Sequence, residues 1–172
     1  MTKIGVFGSA LNPMTLGHVD AIKQALELCD RVLVVPSFSH AFSKKMKPFD
    51  LRVELARKTV EAEFAGGLVE VSTVEQELSK TIEGAIYTYD LLDSLSKADP
   101  ENEYVFLCGT DNIQNFDAFY KSDEIMNGWS VLGLEERVAI RSTYVRNNVV
   151  EGLNIKNMVS SSIESDVKKI YK

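Results

Sequence analysis

The chain has 172 residues and a net charge of −6 at pH 7, and 45% of its residues are hydrophobic. This length can bury a full core, and the negative charge argues against general nucleic-acid binding, which requires a broad positive face. No apolar run approaches the roughly 18 residues of a membrane span, and the N-terminal apolar stretch is too short for a signal peptide, so we expect a cytoplasmic protein with no membrane partner. Cys29 and Cys108 lie in apolar surroundings and are expected to be buried free thiols.

Short apolar segments rich in β-branched residues alternate with helical patterns along the chain. The predicted strands are 3–7, 31–36, 68–72, 104–109 and 129–134, and the predicted helices are 17–28, 49–64, 86–96 and a C-terminal helical segment at about 157–171. Strands that are apolar on both faces indicate a parallel sheet covered by helices. The pattern predicts a single α/β domain over residues 1–172, with a Rossmann-like, doubly wound parallel sheet. Such sheets bind ligands at the carboxyl ends of their strands.

The first such end is followed by GSALNPMTLGH, residues 8–18. Gly8 allows the backbone to turn sharply and leaves room for a ligand. Thr15 and His18 lie at the predicted start of the first helix, where free N–H groups and partial positive charge attract anions. Two interpretations remain open: a phosphate site, or a corner in which Thr15 is the N-cap and His18 a surface residue.

The segment after the second predicted strand concentrates basic residues in an otherwise acidic chain. It contains His40, Lys44, Lys45, Lys47 and Arg52. A local basic cluster suits a polyphosphate, although a charged, solvated loop is the simpler interpretation of this segment by itself. Its length, without helical or strand periodicity, also suggests a lid.

The fourth predicted strand leads into Gly109, Thr110 and Asp111. A Gly-x-Asp sequence directly after a buried strand can bring a carboxylate near a ribose or a metal ion. An aspartate that caps the next helix explains the same residues equally well.

A second candidate anion site lies in VAIRSTYVRNN, residues 138–148. Ser142 and Thr143 have the character of a helix N-cap, and Arg141 and Arg146 flank them. A helix start with two arginines beside it can bind a phosphate.

These motifs resemble a known superfamily. GSALNPMTLGH is similar to the G-x-F-[DN]-P-x-[HT]-x-G-H signature of the nucleotidylyltransferases, and IRSTYVR is similar to their I-S-S-T-x-[IV]-R signature more than 120 residues later. Three further stretches, PSFSHAFSKKM, IYTYDLL and GTDNIQNFDAFYKSDEI, resemble the nicotinate/nicotinamide mononucleotide adenylyltransferases. The resemblance extends from about residue 3 to residue 170.

The chain departs from the family pattern at five positions. Thr15 replaces the first signature histidine, Leu11 a phenylalanine and Arg141 a serine, so that Ser142 takes over the role at the helix start. Phe119 stands where a tryptophan usually stacks on the pyridine ring, and Ile86 replaces a serine. The chemistry is retained, and the pyridine substrate is left open.

The resemblance implies an adenylyltransferase that joins ATP and nicotinate or nicotinamide mononucleotide to form the dinucleotide and pyrophosphate in NAD biosynthesis. Mg²⁺ is expected with ATP, held mainly by phosphate oxygens rather than by protein side chains. The alternatives are another nucleotidylyltransferase, such as a pantetheine-phosphate adenylyltransferase or a cytidylyltransferase, and a non-catalytic nucleotide sensor. A homo-oligomer is compatible with the sequence, and no nucleic-acid partner is expected.

The resemblance also assigns residues to roles. The catalytic candidates are His18, Thr15, Lys44 and Arg146. The candidates for ATP binding are Gly8, Ser9, Ala10, Asn12, His18, Gly109, Asp111, Arg141, Ser142, Thr143 and Arg146. The candidates for binding the mononucleotide are Asn12, His40, Lys44, Tyr87, Thr88 and Phe119.

Overall fold

The structure is a computed structural model that describes residues 1–38 and 46–172, with Asp111 described by its backbone alone. Within these residues five parallel strands form one sheet in the order β3-β2-β1-β4-β5. The strands are β1 Lys3–Ser9, β2 Arg31–Pro36, β3 Val69–Val71, β4 Glu103–Gly109 and β5 Ser130–Leu134. The predicted Rossmann-like fold is confirmed.

Helices connect and cover the strands. They are α1 Leu16–Leu26, α2 Phe49–Glu63, α3 Val74–Ser79, α4 Thr88–Ala98, α5 Thr110–Gln114, α6 Ser122–Gly128, α7 Ser142–Val150 and α8 Glu164–Ile170, with a 3₁₀ turn at Phe116–Ala118. The last helix is shorter than the predicted helical segment at 157–171, because residues 157–163 form turns before it. No helix in the described part of the chain is long and apolar enough to cross a membrane.

The sheet is covered on both faces, as its continuous apolar strands predicted. In β4, Val105 and Leu107 pack into one cluster with α1 and α2, whereas the alternating Phe106 and Cys108 pack into a second cluster with α4 and α6. Successive side chains of a strand point to opposite faces, which explains why a buried strand needs apolar residues at every position. Both cysteines are buried and free, as expected.

A third cluster attaches the C-terminal part of the chain. Buried side chains of α7, of the following turns and of α8 pack with Leu55 of α2. The members are Leu55, Val145, Val149, Ile155, Val159, Ile163, Val167 and Tyr171. This packing brings the end of the chain back to the edge of the sheet where β1 ends.

The strand order determines where a ligand fits. The chain moves outward from β1 to β2 and β3 and then crosses to β4 on the other side of β1. A crevice therefore opens between the carboxyl ends of β1 and β4, at the switch in strand order.

Candidate active site

Thr15 is the N-cap of α1. Its hydroxyl oxygen accepts hydrogen bonds from the backbone N–H groups of Gly17 (3.1 Å) and His18 (3.4 Å). The same hydroxyl donates to the carbonyl of Ile140 at 2.9 Å, and the residue is fully buried. The structure therefore supports the cap interpretation of this side chain, because its donor and acceptor capacity is used within the protein.

His18 is held by the same cap. Its Nδ1 accepts the backbone N–H of Thr15 at 2.9 Å, so the ring proton lies on Nε2. Burial lowers the pKa of the imidazole from 6.5 to about 4, which keeps the ring neutral at pH 7. His18 is thus a neutral N–H donor at the start of a helix, in a position to hydrogen-bond an anion rather than to act as a cation.

Glycines shape the space around this helix start. A Cβ on Gly17 would lie 2.5 Å from the carbonyl oxygen of Ile140, so only glycine allows the two segments to approach this closely. Among the described residues, a Cβ on Gly8 would meet only the carbonyl of Val35 at 4.0 Å, and one on Gly109 would meet no atom within 4 Å. The ends of β1 and β4 therefore face open space that a ligand can enter.

The second helix start lies directly against the first motif. Ser142 donates to the carbonyl of Pro13 at 2.7 Å, and Arg146 donates to the carbonyl of Asn12 at 2.8 Å. The N-cap of α7 is Arg141, whose side chain makes no capping hydrogen bond, so the expected N-cap role of Ser142 and Thr143 is wrong. The hydroxyl of Ser142 is used instead to join the two motifs, and the first N–H groups of a helix have no partner within the helix itself.

Arg146 and Arg141 are anchored differently. The guanidinium of Arg146 also donates to Thr143 Oγ1 at 3.2 Å, which holds it on the first turn of α7. Arg141 pairs with Glu136 at 2.9 Å, with both side chains largely exposed. An exposed ion pair of this kind contributes little to stability.

Asn12 of the first motif is buried and held by hydrogen bonds to its side chain. Its Oδ1 accepts two hydrogen bonds, from the backbone N–H of Lys47 (3.2 Å) and from the hydroxyl of Tyr171 (2.7 Å). With Oδ1 used in this way, Nδ2 is the side-chain atom that can donate to a substrate.

Arg52 joins the loops that follow β1 and β2. It is almost fully buried and donates to the carbonyls of Ala10 (2.8 Å), Ser37 (2.7 Å) and Lys47 (2.7 Å). Glu75 lies nearby and accepts the backbone N–H of Phe38 at 3.1 Å, and burial raises the pKa of its carboxyl to about 7. Arg52 was expected to contribute to a basic, solvated loop, but it is a buried residue that organises the loop bases.

A cleft of about 370 Å³ opens between the two helix starts and the ends of β1, β4 and β5. It is lined by Phe7, Gly17, His18, Ala21, Gly109, Thr110, Asn112, Leu134, Glu135, Glu136, Val138, Ile140, Arg141 and Ser142. One wall is the segment after β5, which is held to α1 by a bidentate pair between Arg137 and Asp20, with both distances 3.0 Å. Of the residues predicted to bind ATP, His18, Gly109, Arg141 and Ser142 line this cleft.

Comparison with known proteins accounts for this arrangement. Residues 6–163 match the model of the cytidylyltransferase-like family. A probable nicotinate-nucleotide adenylyltransferase from Aliarcobacter butzleri is 30% identical over 179 residues, which cover 99% of this chain and 91% of the relative. The chain belongs to the cytidylyltransferase-like family, among its nicotinate-nucleotide adenylyltransferases.

Further relatives of this adenylyltransferase agree. One from Streptococcus pneumoniae is 28% identical over 148 residues, covering 83% of this chain and 67% of the relative. A solved structure from Vibrio parahaemolyticus, assigned as a nicotinate-nucleotide adenylyltransferase, is 32% identical with a TM-score of 0.84 and covers 97% of this chain and 99% of that one. A Plasmodium falciparum nicotinic acid mononucleotide adenylyltransferase in complex with NaAD is 14% identical with a TM-score of 0.76, covers 99% of this chain and 98% of that one, and supports the fold alone.

The residues predicted to bind the pyridine ring lie at the start of α4 and directly after the 3₁₀ turn at Phe116–Ala118. Tyr87 and Thr88 lie at the start of α4, and Tyr87 is half exposed. The ring of Tyr87 lies 4.8 Å from that of Tyr120, whereas Phe119 stacks on Phe116 with centroids 4.7 Å apart and an interplanar angle of 22°. One face of Phe119 is therefore covered by the protein, and its neighbour Tyr120 is the ring that meets Tyr87.

Three predicted residues lie outside this description. His40 and Lys44 belong to residues 39–45, and the side chain of Asp111 is not described. No sequence pattern predicted that Tyr171 contacts the site or that Arg52 is buried between the loops. Neither has a motif of its own, and only the distance in space to Asn12 and Ala10 reveals them.

Proposed function

We propose that this adenylyltransferase joins ATP to nicotinate mononucleotide, forming the dinucleotide and pyrophosphate in NAD biosynthesis. The relatives described above, named for the nicotinate nucleotide, support the acid over the amide. We propose that residues 1–172 form one domain, because the Tyr171 hydroxyl donates a hydrogen bond to Asn12, 159 residues earlier in the chain.

One observation carries the proposal: the two signature segments are hydrogen-bonded to each other at the open ends of β1 and β4. Thr15 donates to Ile140, Ser142 to Pro13, and Arg146 to Asn12. These bonds bring two helix starts to one cleft, and helix starts favour anions. A reaction between two phosphate-bearing substrates needs such a double anion site.

The chemistry follows from positioning and charge. A phosphate oxygen of the mononucleotide attacks the α-phosphorus of ATP, a new P–O bond forms, and the bond to pyrophosphate breaks. No protein nucleophile is needed, so the protein holds two mutually repelling anions and stabilises the charge of the transition state. His18 Nε2–H, Asn12 Nδ2 and the first N–H groups of α7 are the proposed donors, with Arg146 and Arg141 supplying positive charge.

The remaining assignments rest on the resemblance. Lys44 is proposed to neutralise the leaving pyrophosphate and His40 to contact the mononucleotide. Asp111 is proposed to lie near the ribose or adenosine groups. Tyr87 and Thr88 are proposed to hold the pyridine end, and Phe119 to stack on the pyridine ring. In these roles the residues bind and orient the substrates; none takes part in a covalent step.

Mg²⁺ is proposed to enter with ATP. In residues 1–38 and 46–172, Asp111 apart, no group of three or more His, Cys, Asp or Glu side chains is placed to hold a metal ion. We propose that the phosphate oxygens of ATP supply the main ligands of the cation, as they commonly do for Mg²⁺. When bound, it would offset phosphate charge.

The test compares substrates in parallel. Pyrophosphate release is measured with Mg²⁺ and ATP plus nicotinate mononucleotide, nicotinamide mononucleotide or phosphopantetheine, and with CTP in place of ATP. We expect the highest kcat/KM with nicotinate mononucleotide and a loss of about 100-fold in kcat for His18→Ala. Absence of pyrophosphate release with both pyridine mononucleotides, or an unchanged kcat in His18→Ala, would overturn the proposal.

A further inference from the structure

Tyr171 stands out among the buried polar residues because it lies one residue from the C-terminus and yet contacts the first substrate-binding motif. Its side chain is only 4% exposed, and its hydroxyl donates to Asn12 Oδ1 at 2.7 Å. The two residues are 159 positions apart in the chain. A hydrogen bond between two buried polar groups has a defined geometry, because no water competes for either partner.

The C-terminal helix brings the tyrosine to this position. Val167 in α8 and Ile163 before it are fully buried in the cluster that also contains Leu55 of α2. The ring of Tyr171 belongs to the same cluster, and the amine of Lys47 lies 5.8 Å from its centroid. The ring therefore anchors the end of the chain, while the hydroxyl points to the loop after β1.

The hydroxyl determines which way the Asn12 amide faces. Oδ1 accepts both the Tyr171 hydroxyl and the backbone N–H of Lys47. An amide rotated by half a turn would present Nδ2 hydrogens to both donors, and both hydrogen bonds would be lost. Burial also raises the pKa of Tyr171, so the phenol remains protonated at neutral pH and can donate its hydrogen bond.

The backbone of Asn12 is held from a third direction, since its carbonyl accepts a hydrogen bond from Arg146 at 2.8 Å. The residue is thus fixed by contacts from α7, from the segment before α2 and from the C-terminus. Such support is what a donor needs to be preorganised for a transition state.

We propose that Tyr171 is a positioning residue that orients the Asn12 amide toward the substrate phosphates. The inference rests on the proposed function, in which Asn12 Nδ2 is a donor to those phosphates. Tyr171 itself touches no reacting atom, and its effect on the reaction passes through Asn12.

The decisive variant is Tyr171→Phe, which removes the hydroxyl and keeps the ring that packs in the cluster. The matched control is Tyr104→Phe. Tyr104 is also buried, at 5% exposure, but it lies near the amino end of β4, and the hydrogen bond that its hydroxyl accepts from Asn102 is long, at 3.5 Å. A general effect of removing a buried hydroxyl would appear in both variants.

A double-mutant cycle separates positioning from general stability. We expect Tyr171→Phe to lower kcat about tenfold with KM for ATP within about twofold of the parent value, and Tyr104→Phe to change neither. Asn12→Ala is expected to lower kcat at least as much, and the double variant to match Asn12→Ala within about twofold. Losses that multiply in the double variant, or a Tyr171→Phe enzyme as active as Tyr104→Phe, would overturn the inference.

Amide NMR keeps this test independent of activity. The side-chain NH₂ signals of Asn12 are assigned by their loss in Asn12→Ala, and they are expected to shift in Tyr171→Phe but not in Tyr104→Phe. Unshifted signals would overturn the inference whatever the kinetics. Shifted signals in a protein whose wild type releases no pyrophosphate from either pyridine mononucleotide would instead count against the proposed function, and the link between Tyr171 and Asn12 would stand.

Discussion

His18→Gln is the most informative single substitution, because it separates the titration of the ring from its role in the helix cap. The imidazole accepts the backbone N–H of Thr15 through Nδ1. A glutamine three residues after a threonine N-cap can accept the same hydrogen bond in a capping box. The variant therefore keeps the start of α1 and removes the group that titrates.

The expected loss of stability on acidification follows from the pKa of His18. Burial lowers the pKa of His18 from 6.5 to about 4, so between these pH values the unfolded chain binds more protons than the folded chain. The stability that the neutral ring contributes is complete above pH 6.5 and is lost as the pH falls toward 4. At about 1.4 kcal/mol per tenfold change this amounts to about 3 kcal/mol in total, of which about 2 kcal/mol is lost between pH 7 and pH 5.

Because His18 as a residue is only partly buried, solvent screening reduces the effect, and we expect a difference of about 1 kcal/mol. The assay is urea unfolding followed by circular dichroism at pH 7 and pH 5. Wild type should lose more free energy of unfolding on acidification than His18→Gln by this amount. Equal losses in the two proteins would refute the reasoning that burial keeps this ring neutral.

Three further substitutions test the packing and charge around the site. Gly17→Ala should destabilise the fold by about 2 kcal/mol and lower Tm by about 6 °C, because its Cβ would lie 2.5 Å from the Ile140 carbonyl. The control is Gly128→Ala, whose Cβ would meet no atom of the described residues within 4 Å; equal Tm values in the two variants would contradict the clash. Between pH 5.5 and pH 8, Glu75→Gln should lose about 2 kcal/mol less free energy of unfolding than wild type. The pKa of the Glu75 carboxyl is raised from 4.5 to about 7, so its stabilising contribution is complete below pH 4.5 and is lost as the pH rises through 7. Equal losses of free energy of unfolding in the two proteins, measured by urea unfolding at both pH values, would argue against it. Gly8→Ala should leave Tm unchanged but raise KM for ATP about tenfold, since among the described residues its Cβ would come no closer than 4.0 Å to any atom, the nearest being the Val35 carbonyl oxygen. An unchanged KM would show that ATP does not approach this position.

The strands and the location of the site were predictable because their signals are local. A strand buried on both faces is apolar at every position, and each predicted strand overlaps an observed one with the boundaries displaced by at most two residues. Parallel pairing then brings the loop after β1 and the loop after β4 to one edge. The position of the cleft follows from this alternation of strands and helices.

The roles of individual polar residues were less predictable. A threonine at a helix start suits both an N-cap and a phosphate contact, because each uses the same hydroxyl. The partner of Thr15, the Ile140 carbonyl, is 125 residues away, so its presence could not be inferred from nearby sequence. For the same reason Ser142 was expected to cap α7, although its hydroxyl is used by Pro13 instead.

By itself, the sequence determined the fold class, the family and the edge of the sheet where the substrates meet, because periodicity and signature motifs are carried by neighbouring residues. Only the tertiary structure decided how the site is held. It assigned Thr15 to the cap, made His18 a neutral donor, placed Arg52 between the loops, and brought Tyr171 to Asn12. Each of these roles depends on a partner that is distant in the chain or on burial, and both of these arise only when the chain is folded.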